Sequence, residues 1–387
     1  MMLYIKNVQI IGENNVFPGE LLVKDGKIAE VGAHVPCPED AEVLDGGGQY
    51  LSPGFIDLHV HGGGGYSAMG GKDAVVHMCE AHARYGTTSI LPTTLAAPIA
   101  QLKTAMDGIR EAQSATDNVH ILGVHLEGPF LSPNMCGAQS PDNILVPDEW
   151  DCEDLLSYWD GIKIMGAAPE VKGGMALGEL IRKHGAVASV AHSTADYDIA
   201  QEAFRNGYSD VTHLYNACTS CHKVGVFRHA GTVEAALVND DVTTQVIADL
   251  RHQPEGVLRL IYKCKGPDKM YVITDGLEFA ATQMQEGEEF VQENGMAVVY
   301  TDGVMLLADR SCLAGSVATC DLLVRNLYKK LELPLCDCVK MASLTPARVV
   351  GIDDHTGKIA AGYDADLLLF DDDVRISAVF VSGKRIV

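Results

Sequence analysis

Two histidines one residue apart, His59 and His61, end an apolar run that begins at Pro53, and glycines 62–65 follow at once. On a β-strand, residues two apart face the same way. Asp57, His59 and His61 are therefore expected on one face, with Leu58 and Val60 on the other. Two imidazoles side by side at a strand end suit one divalent metal ion. A pair of hydrogen-bonded histidines beside a turn has the same pattern, so the rest of the chain must decide. Further along, the signal repeats. Glu127 ends the run His125-Leu126-Glu127, His192 follows residues 187–191, His213 ends residues 210–213, and Asp275 follows residues 270–274. Four histidines and two carboxylates at five apolar strand ends point to a metal centre. Nitrogen and oxygen donors without cysteine favour zinc, iron or a similar divalent ion. A catalytic ion keeps a position open for water and lowers the pKa of that water from about 16 to about 7. Asp275 stands apart on the last strand and is the candidate proton carrier.

The elements that must hold these side chains alternate. Candidate strands lie at 55–59, 89–92, 121–126, 162–166, 187–191, 210–213, 244–248 and 270–274, with helix-like runs such as 178–184 and 199–206 between them. Strands alternating with helices in this way predict an α/β fold, a (β/α)8 barrel of the TIM type, whose chemistry sits at the C-terminal strand ends. A doubly wound open sheet is the alternative. Gly62 to Gly65 lacks the spacing of a phosphate-binding loop. Both chain ends are β-rich. Residues 21–32 form a hairpin around Asp25-Gly26, and residues 365–370 and 378–384 read as strand, turn, strand. They predict a small β-sandwich domain built from residues 1–52 and 357–387, flanking a catalytic barrel over 53–356.

Composition narrows the partners. Hydrophobic residues make up 47% and charged residues 21% of the 387, as in globular proteins. The net charge of −23, from 29 basic and 52 acidic side chains, repels nucleic acid. Residues 85–102 are uncharged, but Pro92, Pro98 and four threonines make them strand and loop rather than a membrane span. Eleven cysteines, an odd number, and a strand-like start instead of an export signal suggest reduced thiols in a cytoplasm. Cys218-Thr219-Ser220-Cys221-His222 matches a haem-attachment pattern. With no export signal, no second axial ligand and no second CxxC, neither haem nor structural zinc is expected there.

The motifs resemble the amidohydrolase superfamily, and within it a branch that deacetylates amino-sugar phosphates. The segments are PGFIDLHVHG (53–62), HLEGPF (125–130), VAHSTAD (190–196), THLYNA (212–217), IADLRH (247–252), ITDG (273–276), LAGS (313–316) and AGYDADLLLFD (361–371). The resemblance runs essentially the whole length, and HLEGPF with THLYNA is its most specific part. It implies metal-dependent hydrolysis of the acetamide of N-acetylglucosamine 6-phosphate to glucosamine 6-phosphate and acetate, in amino-sugar catabolism. Glu127, His192 and His213 would hold the main ion. His59 and His61, with Glu127 as bridge, would help hold a second, so one or two ions per subunit are expected. Asp275 would shuttle the proton beside them. Asn216, the Ala217 backbone and His252 would contact the sugar phosphate, and Arg228 would bind phosphate across the interface of a homodimer. His222, Lys223, Arg228, His229, Arg251 and His252 form a locally basic neighbourhood that suits phosphate oxygens.

Two departures bear on the substrate. The branch often has Gly-Ala-His where this chain has Gly137-Ala138-Gln139, and Gln139 can donate a hydrogen bond but carries no charge. The loop from Cys218 to Phe227 is longer than in better-known members. The alternative is another amidohydrolase, acting on a related N-acyl sugar, an N-acyl amino acid or a cyclic amide. Many of those use a carboxylated lysine on the fourth strand, but Lys163 precedes Ile164 and Met165 instead of ending its strand.

Overall fold

The computed structural model describes residues 2–292 and 295–387, so Met1, where the first predicted strand begins, lies outside them. Eight parallel strands follow one another round a barrel: β1 (Phe55–Val60), β2 (Thr87–Thr94), β3 (Val124–Glu127), β4 (Ile162–Ala167), β5 (Val187–Val190), β6 (Tyr208–Val211), β7 (Thr243–Val246) and β8 (Met270–Val272). The first and last meet where Asp275 N donates to His59 O at 2.9 Å and Val60 bridges Gly276 in parallel. β1 and β2 are buried at every residue, β2 although five of its eight residues are Thr or Ser.

The third candidate strand is interrupted. His120–Ile121 pairs with β2, and β3 begins only after Gly123. Gly123 has φ 142°, and a Cβ there would lie 2.1 Å from Gly161 O, so the break needs glycine. The helices Gly174–Lys183 and Tyr197–Arg205 return the chain from β4 to β5 and from β5 to β6. Asp196 caps the second by accepting from Ile199 N at 3.0 Å.

Strands from both termini form one eight-stranded sheet. Its seam is Leu367–Phe370, which runs antiparallel to Tyr50–Pro53, the strand leading into β1. Ile5, Leu21, Val23, Leu51, Leu367 and Phe380 share its buried core. The Asp25-Gly26 turn has φ 50° and 79°, the left-handed pair that suits the twist of a two-residue hairpin.

One further element is absent from the sequence expectation. After β8, a four-stranded antiparallel sheet is built from Glu289–Val291, Ala297–Thr301, Val304–Leu307 and Leu313–Ser316. Ser316 bridges Gly276, which places this sheet over the C-terminal end of the barrel. Among the described residues, no helix is long and apolar enough to cross a membrane.

Candidate metal centre and its cavity

The strand ends bring six predicted side chains together. His59, His61 and Asp275 form one group of potential metal donors, and Glu127, His192 and His213 form another, each with its donor atoms within 4.8 Å of one another. Glu127 joins the two groups. Its Oε1 lies 2.9 Å from His213 Nε2, 3.2 Å from His192 Nε2 and 3.5 Å from His59 Nε2, and its Oε2 lies 3.2 Å from His61 Nε2. Asp275 Oδ1 is 3.2 Å from His61 Nε2 and 3.5 Å from His59 Nε2. Asp57 is not part of this set. The β1–β2 register slips between Asp57 and Val60, and the Asp57 carboxylate accepts from the Thr274 hydroxyl and backbone N–H instead.

The far side of each ring decides what the near side can do. His59 Nδ1 meets Gln245 Oε1 at 2.9 Å, His61 Nδ1 meets Thr93 O at 3.2 Å, His192 Nδ1 meets Met135 O at 3.0 Å, and His213 Nδ1 meets Asn216 O at 3.1 Å. Carbonyl oxygens only accept, so each Nδ1 must carry the proton. Gln245 is held the same way round because its Nε2 donates to Asp210 Oδ2 at 2.8 Å. Four Nε2 lone pairs are thus turned on two carboxylates at contact distance. That arrangement is repulsive unless protons or a cation lie among them, and it is how outer partners prepare histidines for a metal. The donor set therefore fits one or two divalent ions.

Backbone strain marks the same place. His192, His213 and Asp275 have φ of 44°, 30° and 48°, the left-handed region that residues other than glycine seldom enter. They lie two, two and three residues beyond the ends of β5, β6 and β8, and strain of this kind concentrates at functional sites.

Charge is balanced internally. Burial would raise the Glu127 carboxyl, but His59, then the close contacts of His192 and His213, hold it well below the usual range. Asp275 is likewise opposed by burial and held at about 2 by His59 and His61. Burial would lower His61, yet hydrogen bonds to Asp275 and Glu127 raise it to about 10. The metal-free protein thus keeps a proton on His61 where a cation would sit. A group raised on folding contributes stability that is full below its unfolded value, about 6.5, and is lost as pH rises through the folded one. Urea denaturation of the metal-free protein should therefore show stability falling between pH 6.5 and about 10. The His61→Asn protein should lose that part of the slope.

The centre opens into a cavity of about 290 Å³ lined by Gln139, Asn216, Ala217 and His252 among others. Asn216 Nδ2 is buried without a hydrogen-bond partner among the described residues. His252 Nδ1 is held by Asp249 at 2.7 Å. Gln139 is engaged at both polar ends: Nε2 donates to Glu127 Oε2 at 2.6 Å, and Oε1 accepts from Ala96 N at 2.8 Å. Arg228 is not a lining residue of this cavity. It lies on the exposed hairpin His222–Val224 and Phe227–His229, which begins within the Cys218–Phe227 loop. Arg251 of the basic neighbourhood is paired with Asp302 at 2.8 Å. Lys163 packs beside Gly123, before β3 begins, and belongs to neither donor group. Gln245, the ring acceptors Thr93 and Met135, and the cavity residue Gln292 are absent from the sequence reading of the site, while Leu313–Gly315, part of the LAGS segment, has no role in it.

Comparison with known proteins agrees with this geometry. Residues 50–386 match the amidohydrolase family. The chain is 32% identical to an N-acetylglucosamine-6-phosphate deacetylase of Lysinibacillus sphaericus, over 99% of this chain and 97% of that protein. It is 31% identical to an N-acetylgalactosamine-6-phosphate deacetylase of a Shewanella species, over 86% of this chain and 82% of that one. The crystal structure of N-acetylglucosamine-6-phosphate deacetylase from Pasteurella multocida superposes with a TM-score of 0.91 at 30% identity, covering 100% of this chain and 99% of that one.

Proposed function

The chain belongs to the amidohydrolase family, and on that premise we propose that it is a metal-dependent deacetylase that hydrolyses the acetamide of N-acetylglucosamine 6-phosphate to glucosamine 6-phosphate and acetate. The observation that carries this reading is Glu127, one buried carboxylate in contact with both groups of metal donors and lining a ligand-sized cavity. Glu127, His192 and His213 would hold the main ion, and His59, His61 and Asp275 would face a second, with zinc or iron as the ion. When bound, such an ion polarises a carbonyl and makes water a stronger acid.

The chain's own residues supply the rest. Asp275 is ionised at neutral pH and starts as a proton acceptor. It takes a proton from the attacking water and passes it to the amine nitrogen as the C–N bond breaks; the second water proton leaves the new carboxyl group for the amine, so the products are acetate and the ammonium form of the amino sugar. Gln139 holds Glu127 Oε2 and keeps one N–H for the acetyl oxygen. Asn216 Nδ2, the Ala217 backbone and His252 meet the sugar phosphate. Arg228 reaches the phosphate of a neighbouring subunit in a homodimer. Its hairpin carries Val226 and Phe227 at 83% and 71% exposure, an apolar tip suited to burial against a second copy.

The test is acetate release by protein loaded with zinc or iron. N-acetylglucosamine 6-phosphate should be turned over at least tenfold faster than unphosphorylated N-acetylglucosamine, with N-acetylgalactosamine 6-phosphate as the epimer control. A protein that hydrolyses none of the three, or ignores the phosphate, would overturn the reading.

A further inference from the structure

We infer that Gln292 binds a ring hydroxyl of the substrate and helps set which amino-sugar epimer is accepted, an inference that rests on the deacetylase reading above. Gln292 follows the strand Glu289–Val291 in the sheet over the barrel mouth. Side chains alternate along a strand, so Phe290 and Gln292 share the inward side, with Glu289 and Val291 outward. Phe290 behaves as an inward residue should and packs on Phe279 with ring centroids 4.3 Å apart. The next two positions invert the usual rule. Val291, apolar, is 69% exposed, while Gln292, polar, is 4% exposed.

Burying a carboxamide is unfavourable unless its hydrogen bonds are made. Here Gln292 Nε2 is buried with no partner among the described residues. Its backbone is fixed, since its N–H donates to Met296 O at 2.9 Å and its carbonyl accepts from Gly295 N at 2.8 Å. The side chain lines the same cavity as Glu127, His192 and Asp275. Two unpaired carboxamide nitrogens, Gln292 Nε2 and Asn216 Nδ2, thus belong to residues that line one cavity. A donor kept unpaired in a binding cavity is explained by a ligand that supplies the acceptor.

The surroundings select the kind of acceptor. The sheet beside Gln292 is apolar, with Leu277, Phe290 and Ala314 in one cluster. A phosphate dianion would be poorly solvated there, whereas a hydroxyl needs only one or two hydrogen bonds. A carboxamide offers both a donor and an acceptor, which matches a hydroxyl. Sites that hydrogen-bond a substrate hydroxyl reject analogues lacking it far more strongly than apolar pockets reject a missing methylene. Epimers differ only in where one hydroxyl points, so a fixed amide can tell them apart.

The experiment compares wild type with Gln292→Leu, which keeps the volume and removes the amide. Substrates are N-acetylglucosamine 6-phosphate, its 3-deoxy and 4-deoxy analogues, and N-acetylgalactosamine 6-phosphate. Circular dichroism and metal content establish that the variant is folded and loaded. Expected is a loss of about 10- to 100-fold in kcat/KM for the substrate with its hydroxyls intact. The 4-deoxy analogue, which lacks the hydroxyl at which the two epimers differ, should be poor with wild type and no poorer with the variant, and the ratio between the two epimers should change at least fivefold. An equal loss on all four substrates, or no loss on any, would overturn the assignment of Gln292 while leaving the deacetylase reading in place. A wild-type protein inactive on all four would instead remove that reading and Gln292's role with it.

Discussion

Asp275→Asn should keep the fold and the metal of the Glu127 group and still lose turnover by about 10³- to 10⁴-fold, the upper range for a positioned general acid–base. The backbone at this position is fixed from both sides: Asp275 N donates to His59 O at 2.9 Å, and its carbonyl accepts from Ser316 N at 3.0 Å. Its φ of 48° is one that asparagine tolerates better than most residues. The substitution therefore leaves shape and backbone in place and removes the ability to accept and return a proton, together with the carboxylate charge of the His59, His61 and Asp275 group. Glu127, His192 and His213 are untouched, so an ion held by that group should remain at wild-type stoichiometry. The measurements are kcat from acetate release and metal content by elemental analysis on the same preparation. Activity within tenfold of wild type would mean that another group carries the proton. Loss of all metal would show that Asp275 is needed to hold the main ion, not only to move a proton.

Some of this site was legible in the sequence because its donors sit where strands stop. A strand end is visible as an apolar run meeting a polar residue, and β1, β3, β5, β6 and β8 each announce one: His59, Glu127, His192, His213 and Asp275. The periodicity argument fared less well within β1. Strict alternation puts Asp57 beside His59, but the register slip turns it to Thr274, and irregularities of this sort leave no composition signal. The outer partners were hidden for a different reason. Thr93, Met135 and Asn216 act through backbone carbonyls, which any side chain could accompany. The sheet over the barrel mouth did carry a readable sign. Asp302-Gly303, with φ 52° and 85°, joins two β-rich runs as Asp25-Gly26 does near the other end of the chain. Gln292 had no such sign, since only burial against an outward valine makes its amide unusual.

Glu127→Gln should cost the protein its metal, and with it more than about a thousandfold in kcat/KM, as expected when several kcal/mol of Lewis-acid stabilisation are withdrawn. The change is nearly isosteric, so the loss does not depend on a disturbed core. An amide has one oxygen and one NH₂, and neither orientation suits this position. With its oxygen toward Gln139 Nε2, now 2.6 Å from Glu127 Oε2, the NH₂ faces the Nε2 atoms of His192 and His213 and fills the place of a cation. Turned round, the NH₂ meets the NH₂ of Gln139, and two donors oppose each other at that distance. In both cases the anion that offsets the ion's charge is gone from a fully enclosed position. Affinity is read by competition with a chelator of known strength, and fold by circular dichroism. A Glu127→Gln protein that is folded yet retains full metal content would show that the histidines suffice without the shared carboxylate. The contrast with Asp275→Asn then separates the two carboxylates: one variant folded and loaded but inactive, the other folded, empty and inactive.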